Sequence, residues 1–198
     1  MQGERGVLVY NLEKIGENKY DPKLVQAIIP DLSDYDLIRK IGNYTPNYVV
    51  DTDNDQFIII GYPNNSWYEL TGQQPIAVLP IPNVTLSQEY VLTDKDIVDS
   101  FSLPITIAPQ QSFYYDGKVY PSGGDKGQAS LRVIDMESKD VVYYRDMTEI
   151  TKGEPQFLGL WNNKMLYCEY DSTGLVYEII IPENIFKRDY QTNDNKRL

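Results

Sequence analysis

The chain has 198 residues, enough for one good-sized domain, and its 41% hydrophobic and 24% charged content is ordinary for a globular protein. It carries 29 acidic and 18 basic residues, a net charge of -11, which argues against binding to nucleic acid or anionic lipid surfaces. No histidine and one cysteine exclude Ser-His and Cys-His catalytic pairs, histidine-ligated zinc and an intrachain disulfide.

The N-terminal region predicts one strand and one helix. Residues 7–12 are apolar and rich in β-favouring types, and the next convincing strand lies about 25 residues further on. We therefore expect this strand to pair with a distant segment, beside residues 175–181, as in the closure of a propeller. Asp21-Pro22 predicts a short helix through residue 27, with Asp21 as its N-cap and Pro22 at the first helical position.

Three later segments share one layout of strand, tight turn, strand, turn and strand. They span residues 48–70, 113–135 and 157–179, with first turns at Asp53-Asn54, Asp116-Gly117 and Asn162-Asn163. Residues 76–79 and 141–144 predict a fourth strand for the first and second units. Between these units, Thr93 to Asp96 predicts a capped helical turn. Units of four antiparallel strands are typical of propeller blades, which stack because an isolated blade exposes both faces.

The start of the first unit also resembles a known family. The blade boundary of NHL-type and related bacterial six-bladed propellers has an outer strand ending in Arg-x-Ile-Gly, then a Gly or Pro loop, then Val-Asp and an apolar strand. About 25 residues of this chain are similar, namely Leu37-Ile38-Arg39-Lys40-Ile41-Gly42, Pro46, Val50-Asp51, Asp55 and Phe57-Ile58-Ile59. The resemblance implies a propeller fold and a surface or periplasmic protein, and it does not specify the ligand.

We predict an all-β fold of antiparallel four-stranded repeats arranged as in a propeller, with a β-sandwich or barrel as the alternative. At about 40 to 45 residues per blade the chain provides four blades, the lower end of the range for closed propellers. Residues 1–188 then form a single β-rich domain, by itself or as part of a larger propeller or assembly. Residues 189–198 are polar without apolar periodicity, which predicts a flexible tail.

Two sets of side chains are candidates for binding. Asp51, Asp53 and Asp55 stand at alternate positions and could supply oxygen ligands to calcium, with an acidic hairpin turn as the other interpretation. Tyr and Trp side chains in or beside turns could stack on sugars or dock on proteins, whereas alternation into the core is the ordinary role of strand aromatics. This aromatic set is Tyr62, Trp67, Tyr68, Tyr114, Tyr115 and Trp161.

Two functions remain open at this point. The first is a non-catalytic binding or scaffold module for a protein or glycan, including a structural subunit of a larger assembly such as a virion or a secretion machine. The second is a polysaccharide hydrolase that uses paired carboxylates. Candidate carboxylates for the second are Asp51, Glu69, Asp116, Glu169 and Asp171. The chain contains no stretch of about 20 apolar residues, so we expect no membrane insertion.

Overall fold

The computed structural model describes residues 6–32, 47–61, 74–83, 89–103, 109–124, 129–151, 153–162, 164–170, 175–182 and 185. Within these residues, fourteen β-strands form four small, mainly antiparallel sheets in a propeller-like ring. The all-β, propeller-like prediction is therefore confirmed. The predicted tail at 189–198 and most of the segment that resembles a blade boundary, residues 37–46, lie outside the described part of the chain.

The four sheets are numbered here in chain order. The first contains β1 (Val7–Gly16), β2 (Lys19–Asp31) and β6 (Glu89–Thr93), with β6 parallel to β2. The second contains β3 (Asn47–Asp51), β4 (Gln56–Ile60), β5 (Gln74–Pro80) and β7 (Asp99–Leu103). The third contains β8 (Pro109–Tyr115), β9 (Lys118–Gly123), β10 (Ser130–Asp135) and β11 (Asp140–Asp146). The fourth contains β12 (Glu154–Trp161), β13 (Lys164–Tyr170) and β14 (Val176–Ile179).

The second and third predicted units match the structure strand for strand. The Asp116-Gly117 turn joins β8 to β9 with positive φ at both residues, 51° and 74°, which is the two-residue hairpin geometry that Asp-Gly favours. Thr93 to Asp96 also forms the predicted capped turn. The Asp96 carboxylate accepts the Thr93 N–H and hydroxyl at the start of a short 3-10 helix, Asp94–Asp96.

The first predicted unit needs one correction. Residues 76–79 were expected to form its fourth strand, but they lie in β5, which pairs directly with β4 and is the third strand of the sheet. The fourth strand is β7, which joins the edge of β5 after the segment that contains β6 and the 3-10 helix. The strand expected at residues 67–70 lies outside the described residues.

Both N-terminal predictions are wrong. The first strand pairs with the segment that directly follows it: β1 and β2 form a long antiparallel hairpin, and Asn18 in its turn has a φ of 56°. The predicted helix from Asp21 is part of β2. Pro22 lies in the stretch of β2 whose only described neighbour is β1, and proline is tolerated where a strand is not paired on both sides. Cross-strand pairing has therefore overridden a local capping signal.

Three buried apolar clusters hold the sheets together in chain order. The first sheet packs on the second, the second on the third, and the third on the fourth. β4 is buried on both faces because Phe57 and Ile59 face the first sheet while Ile58 and Ile60 face the third. A continuous apolar run at 57–60 is what burial on both faces requires. Among the described residues, no buried cluster joins the fourth sheet to the first.

Candidate functional site

Tyr114 connects the first hairpin turns of the second and third sheets. Its hydroxyl donates to Asp53 Oδ2 at 3.0 Å and accepts the Gly117 N–H at 3.1 Å. Burial raises the pKa of this phenol above its usual value, and the hydrogen bond to Asp53 and the charges of Asp51 and Asp53 act in the same direction. The polar end of Tyr114 is thus engaged within the chain, where it joins two neighbouring sheets.

The candidate calcium segment is a four-residue hairpin turn capped by its first aspartate. Asp51 is buried, and its Oδ1 accepts the backbone N–H groups of Asp53 and Asn54 at 2.9 and 3.1 Å. Its Oδ2 accepts the Asn54 side-chain amide at 2.9 Å. The turn ends at Asp55, where φ is 53°. Both oxygens of Asp51 are therefore used to hold the turn, as in the side-chain turns that aspartate favours.

A second hairpin repeats this turn without an acidic triad. Asp135 Oδ1 accepts the N–H groups of Glu137 and Ser138 at 3.1 and 2.8 Å, and the turn ends at Lys139 with a φ of 57°. Here the residue that corresponds to Asp55 is a lysine. The shared geometry shows that the first aspartate of each turn has a structural role that does not depend on a cation.

The described residues hold no group of three or more cysteine or acidic side chains close enough to bind a metal ion. Asp53 and Asp55 are exposed, and Asp53 accepts the Tyr114 hydroxyl. Calcium binding by Asp51, Asp53 and Asp55 stays a prediction, which is tested by the variants described in the Discussion.

The candidate hydrolase carboxylates are placed in different parts of the fold. Asp116 lies in the β8–β9 turn, with the left-handed φ already noted. Glu169 is buried in the fourth sheet, where its Oε2 accepts the Gly153 N–H at 2.8 Å, at the end of the hairpin away from the Asn162 turn. Glu69 and Asp171 lie outside the described residues. A hydrolase based on these carboxylates stays a prediction.

The predicted aromatic set does not form one surface within the described residues. Tyr114 and Tyr115 are consecutive in β8 and point to opposite faces of the third sheet, towards the second and fourth sheets respectively. Trp161, at the end of β12, is 66% exposed. Tyr62, Trp67 and Tyr68 lie outside the described residues. Trp161 is therefore the member of the set that the structure shows open to solvent.

Within the described residues, a large exposed apolar surface lies on the first sheet, on the face turned away from the second sheet. Alternate residues of β1 reach it, and the register places Leu12 opposite Pro22 and Tyr10 opposite Leu24. We call this surface the first-sheet face. Its large apolar side chains are between 46% and 61% exposed, and they are Leu8, Tyr10, Leu12, Tyr20, Leu24 and Val91.

The other face of the same hairpin is mainly polar where it extends beyond the core, although Ile15, at the irregular pairing beside the turn, is 66% exposed. Glu13 and Lys23 form an ion pair there at 2.6 Å, with both side chains about half exposed. Closer to the body of the protein, Val7, Val9 and Ile28 face the second sheet and pack in the buried cluster. The hairpin is therefore amphipathic, and its apolar side points away from the chain's own core.

The fourth sheet has a corresponding open face, which we call the fourth-sheet face. Met165 and Tyr167 point into the cluster shared with the third sheet, so alternate residues point the other way. The register places Trp161 beside Lys164, and Cys168 beside Val176 on this outward side. Trp161 and Val176 are exposed, and Lys164 forms an ion pair with Glu178 at 2.7 Å.

Two buried tyrosines stabilise the packing between the third and fourth sheets. Tyr167 shares a 2.7 Å hydrogen bond with the Thr151 hydroxyl, and burial raises the pKa of Tyr167 to about 12, against the opposing effect of that bond. Tyr120 stacks on Phe113 with ring centroids 4.8 Å apart, and burial raises the pKa of its phenol well above the usual range. Both phenols favour the neutral form because a buried phenolate would lose its hydration.

The first-sheet face was missed at the sequence level although a signal was present. Leu8, Tyr10 and Leu12 alternate with other residues before the turn at Asn18, and Tyr20 and Leu24 follow it. Alternation on both sides of a short polar turn is typical of a hairpin with one apolar face. The Asp21-Pro22 pair favoured a helix there, and this obscured the pattern.

Comparison of the sequence with protein-family models found no match, and comparison with curated proteins found none. Membership of the NHL-type or another six-bladed family therefore stays a prediction, while the propeller-like arrangement of four small sheets is observed. No helix in the described part of the chain has the length and hydropathy needed to cross a bilayer.

Proposed function

We propose that this chain is a non-catalytic binding or structural module that recognises another protein through the exposed faces of its first and fourth sheets. The observation that carries the proposal is the first-sheet face, where six large apolar side chains on three neighbouring strands are about half exposed. Contiguous apolar patches of this kind are typical of protein interaction sites.

The composition of this face favours a protein over a glycan. Leucines at 8, 12 and 24 are interleaved with Tyr10 and Tyr20, so the surface is mostly aliphatic and presents few hydrogen-bonding groups. A sugar-binding platform needs flat aromatic rings flanked by polar groups that select the hydroxyls. An apolar face with tyrosines matches the core of a protein interface instead.

The edge of the same sheet supports the proposal. Within the described residues, β1 pairs with β2 on one side and with no strand on the other. An unpaired edge offers backbone N–H and C=O groups to an added strand, and recognition by strand addition is common among protein-binding modules. Asp51, one of the candidate carboxylates, caps a turn, and the Tyr114 hydroxyl joins two turns, so both of these polar groups have a structural role.

Photo-crosslinking in the cells that make the protein tests this function. A photoreactive residue is placed at Leu12 on the first-sheet face, at Trp161 on the fourth-sheet face, or at Val98 as the control. Val98 is 57% exposed and lies between the 3-10 helix and β7, on neither face. We expect protein adducts of defined mass from positions 12 and 161, each identified by mass spectrometry, and none from position 98.

Two outcomes would contradict the proposal. One is the absence of protein adducts at both positions while the chain is folded. The other is release of reducing sugar from a polysaccharide by the purified chain, lost in Glu169→Gln, which would support the hydrolase alternative.

A further inference from the structure

We infer that the partner of these two faces is a second copy of this chain: the first-sheet face of one protomer packs on the fourth-sheet face of the other. A two-fold axis then repeats the same junction, so that each face in the pair is covered. This inference rests on the proposed function and names its partner.

The packing inside one chain supplies the first argument. Each internal junction places one apolar sheet face on another, from the first sheet to the fourth in chain order. The first-sheet face and the fourth-sheet face are the two ends of this series, and both present exposed apolar side chains. A junction between them would continue the same sheet-on-sheet packing, at the spacing of about 10 Å that stacked sheets adopt.

Symmetry supplies the second argument. A two-fold axis makes the two junctions identical and leaves neither face open, so the assembly stops at a dimer.

Charge supplies the third argument. The chain has a net charge of -11, so most of its surface repels a second copy. The projecting hairpin is an exception, because between residues 10 and 24 three acidic residues balance three lysines. On the fourth-sheet face, Lys164 and Glu178 neutralise each other. The two faces are therefore nearly neutral regions through which two acidic molecules can approach.

The area is sufficient for a dimer of modest affinity. A three-stranded face with strands about 4.8 Å apart and roughly seven residues long covers about 330 Å². Two junctions with two faces each then bury roughly 1,300 Å², above the about 1,000 Å² that a specific interface needs and below the size typical of permanent dimers. We expect association that depends on protein concentration and is strengthened by salt, which screens the repulsion between the acidic bodies.

Sedimentation velocity of the full chain tests the inference. We expect the mass to rise with concentration from 22.8 kDa towards twice that value. Leu12→Glu and Trp161→Glu should each weaken the association at least tenfold, whereas Val98→Glu should not change it. All three replaced side chains are more than half exposed, so each variant should keep the wild-type circular dichroism spectrum. At a dilution where the wild type is monomeric, each should also keep its melting temperature.

A mixing experiment distinguishes the proposed junction from other dimers. Each of the two weakened variants keeps the face that the other has lost, so an equimolar mixture should recover one intact junction. We expect more dimer in the mixture than in either variant alone. No recovery on mixing, dimerisation that persists in both variants, or a wild-type monomer at all concentrations would overturn the inference. If the wild type is monomeric but crosslinks to a different protein, the proposed function stands; if neither association nor a crosslink occurs, both fail.

Discussion

Raising the pH from about 10 to about 12 is expected to unfold this protein, because buried tyrosines must then ionise. The pKa of Tyr167 is raised from 10.0 in the unfolded chain to about 12 in the fold, mainly by burial. Since the folded pKa is the higher one, the stabilisation is fully present below pH 10 and is lost as the pH rises through about 12. Burial also raises the pKa values of Tyr114 and Tyr120, so ionisation of all three tyrosines destabilises the fold as the pH rises.

The expected loss for Tyr167 alone is on the order of 2 to 3 kcal/mol, because each pKa unit corresponds to about 1.4 kcal/mol. One alkaline titration measures this loss of stability: tyrosinate absorbance follows ionisation, and far-ultraviolet circular dichroism follows unfolding. A late group of tyrosines should ionise together with unfolding. In Tyr167→Phe, the free energy of unfolding should fall less steeply as the pH rises. At neutral pH it should be about 1 kcal/mol lower than in the wild type, because the hydrogen bond to Thr151 is lost.

Tyr144→Phe is the matched control, because the Tyr144 ring is exposed on the third sheet and lies on neither the first-sheet face nor the fourth-sheet face. This variant should keep the alkaline transition of the wild type. Ionisation of all tyrosines near pH 10 in a chain that remained folded would contradict this prediction.

Asp51→Ala is expected to lower the free energy of unfolding by about 1 to 2 kcal/mol, because it removes the buried acceptor of two turn N–H groups that are partly buried. Urea unfolding measures this loss. Asp135→Ala removes the same cap from a more exposed turn and should cost less. The two turns are of the same type, so a larger loss of unfolding free energy in Asp51→Ala than in Asp135→Ala would show that burial of the capping aspartate determines how much it stabilises the fold.

The same variants test calcium. If the segment is a turn, millimolar calcium should leave the melting temperature of the wild type unchanged, and Asp51→Ala should be destabilised equally with and without it. A calcium-dependent rise in melting temperature that disappears in both Asp53→Ala and Asp55→Ala would show a cation site.

The parts of the fold that the sequence predicted correctly depend on local chemistry. Asp116-Gly117 specifies a two-residue turn by itself, and such a turn places the β-favouring segments on either side of it next to each other, where they pair. The Thr93 to Asp96 cap is equally local. Strand order failed where a long connection intervenes, because nothing near residues 76–79 reveals that β7 rather than β5 forms the edge of the second sheet.

The candidate site was harder to predict than the strands. Trp161 was identified as a binding candidate from its place beside a turn, and the structure places it in solvent. The exposure of Leu12 depends on how the first sheet packs on the second, which is a long-range property that alternation alone does not fix. Tyr114 was named as a binding candidate, with the core as the alternative, and its bond to Asp53 was not foreseen because the two residues are distant in sequence.

The most direct test of the central claim is hydroxyl-radical footprinting of the protein inside the cells that make it, compared with the purified chain at high dilution. If the first-sheet and fourth-sheet faces are recognition surfaces, Leu12 and Trp161 should be oxidised several-fold more slowly in the cell than in dilute solution. Tyr144, which is exposed on the third sheet and lies on neither face, should react equally in both. Equal oxidation of Leu12 and Trp161 under the two conditions would contradict the claim that these faces bind a partner.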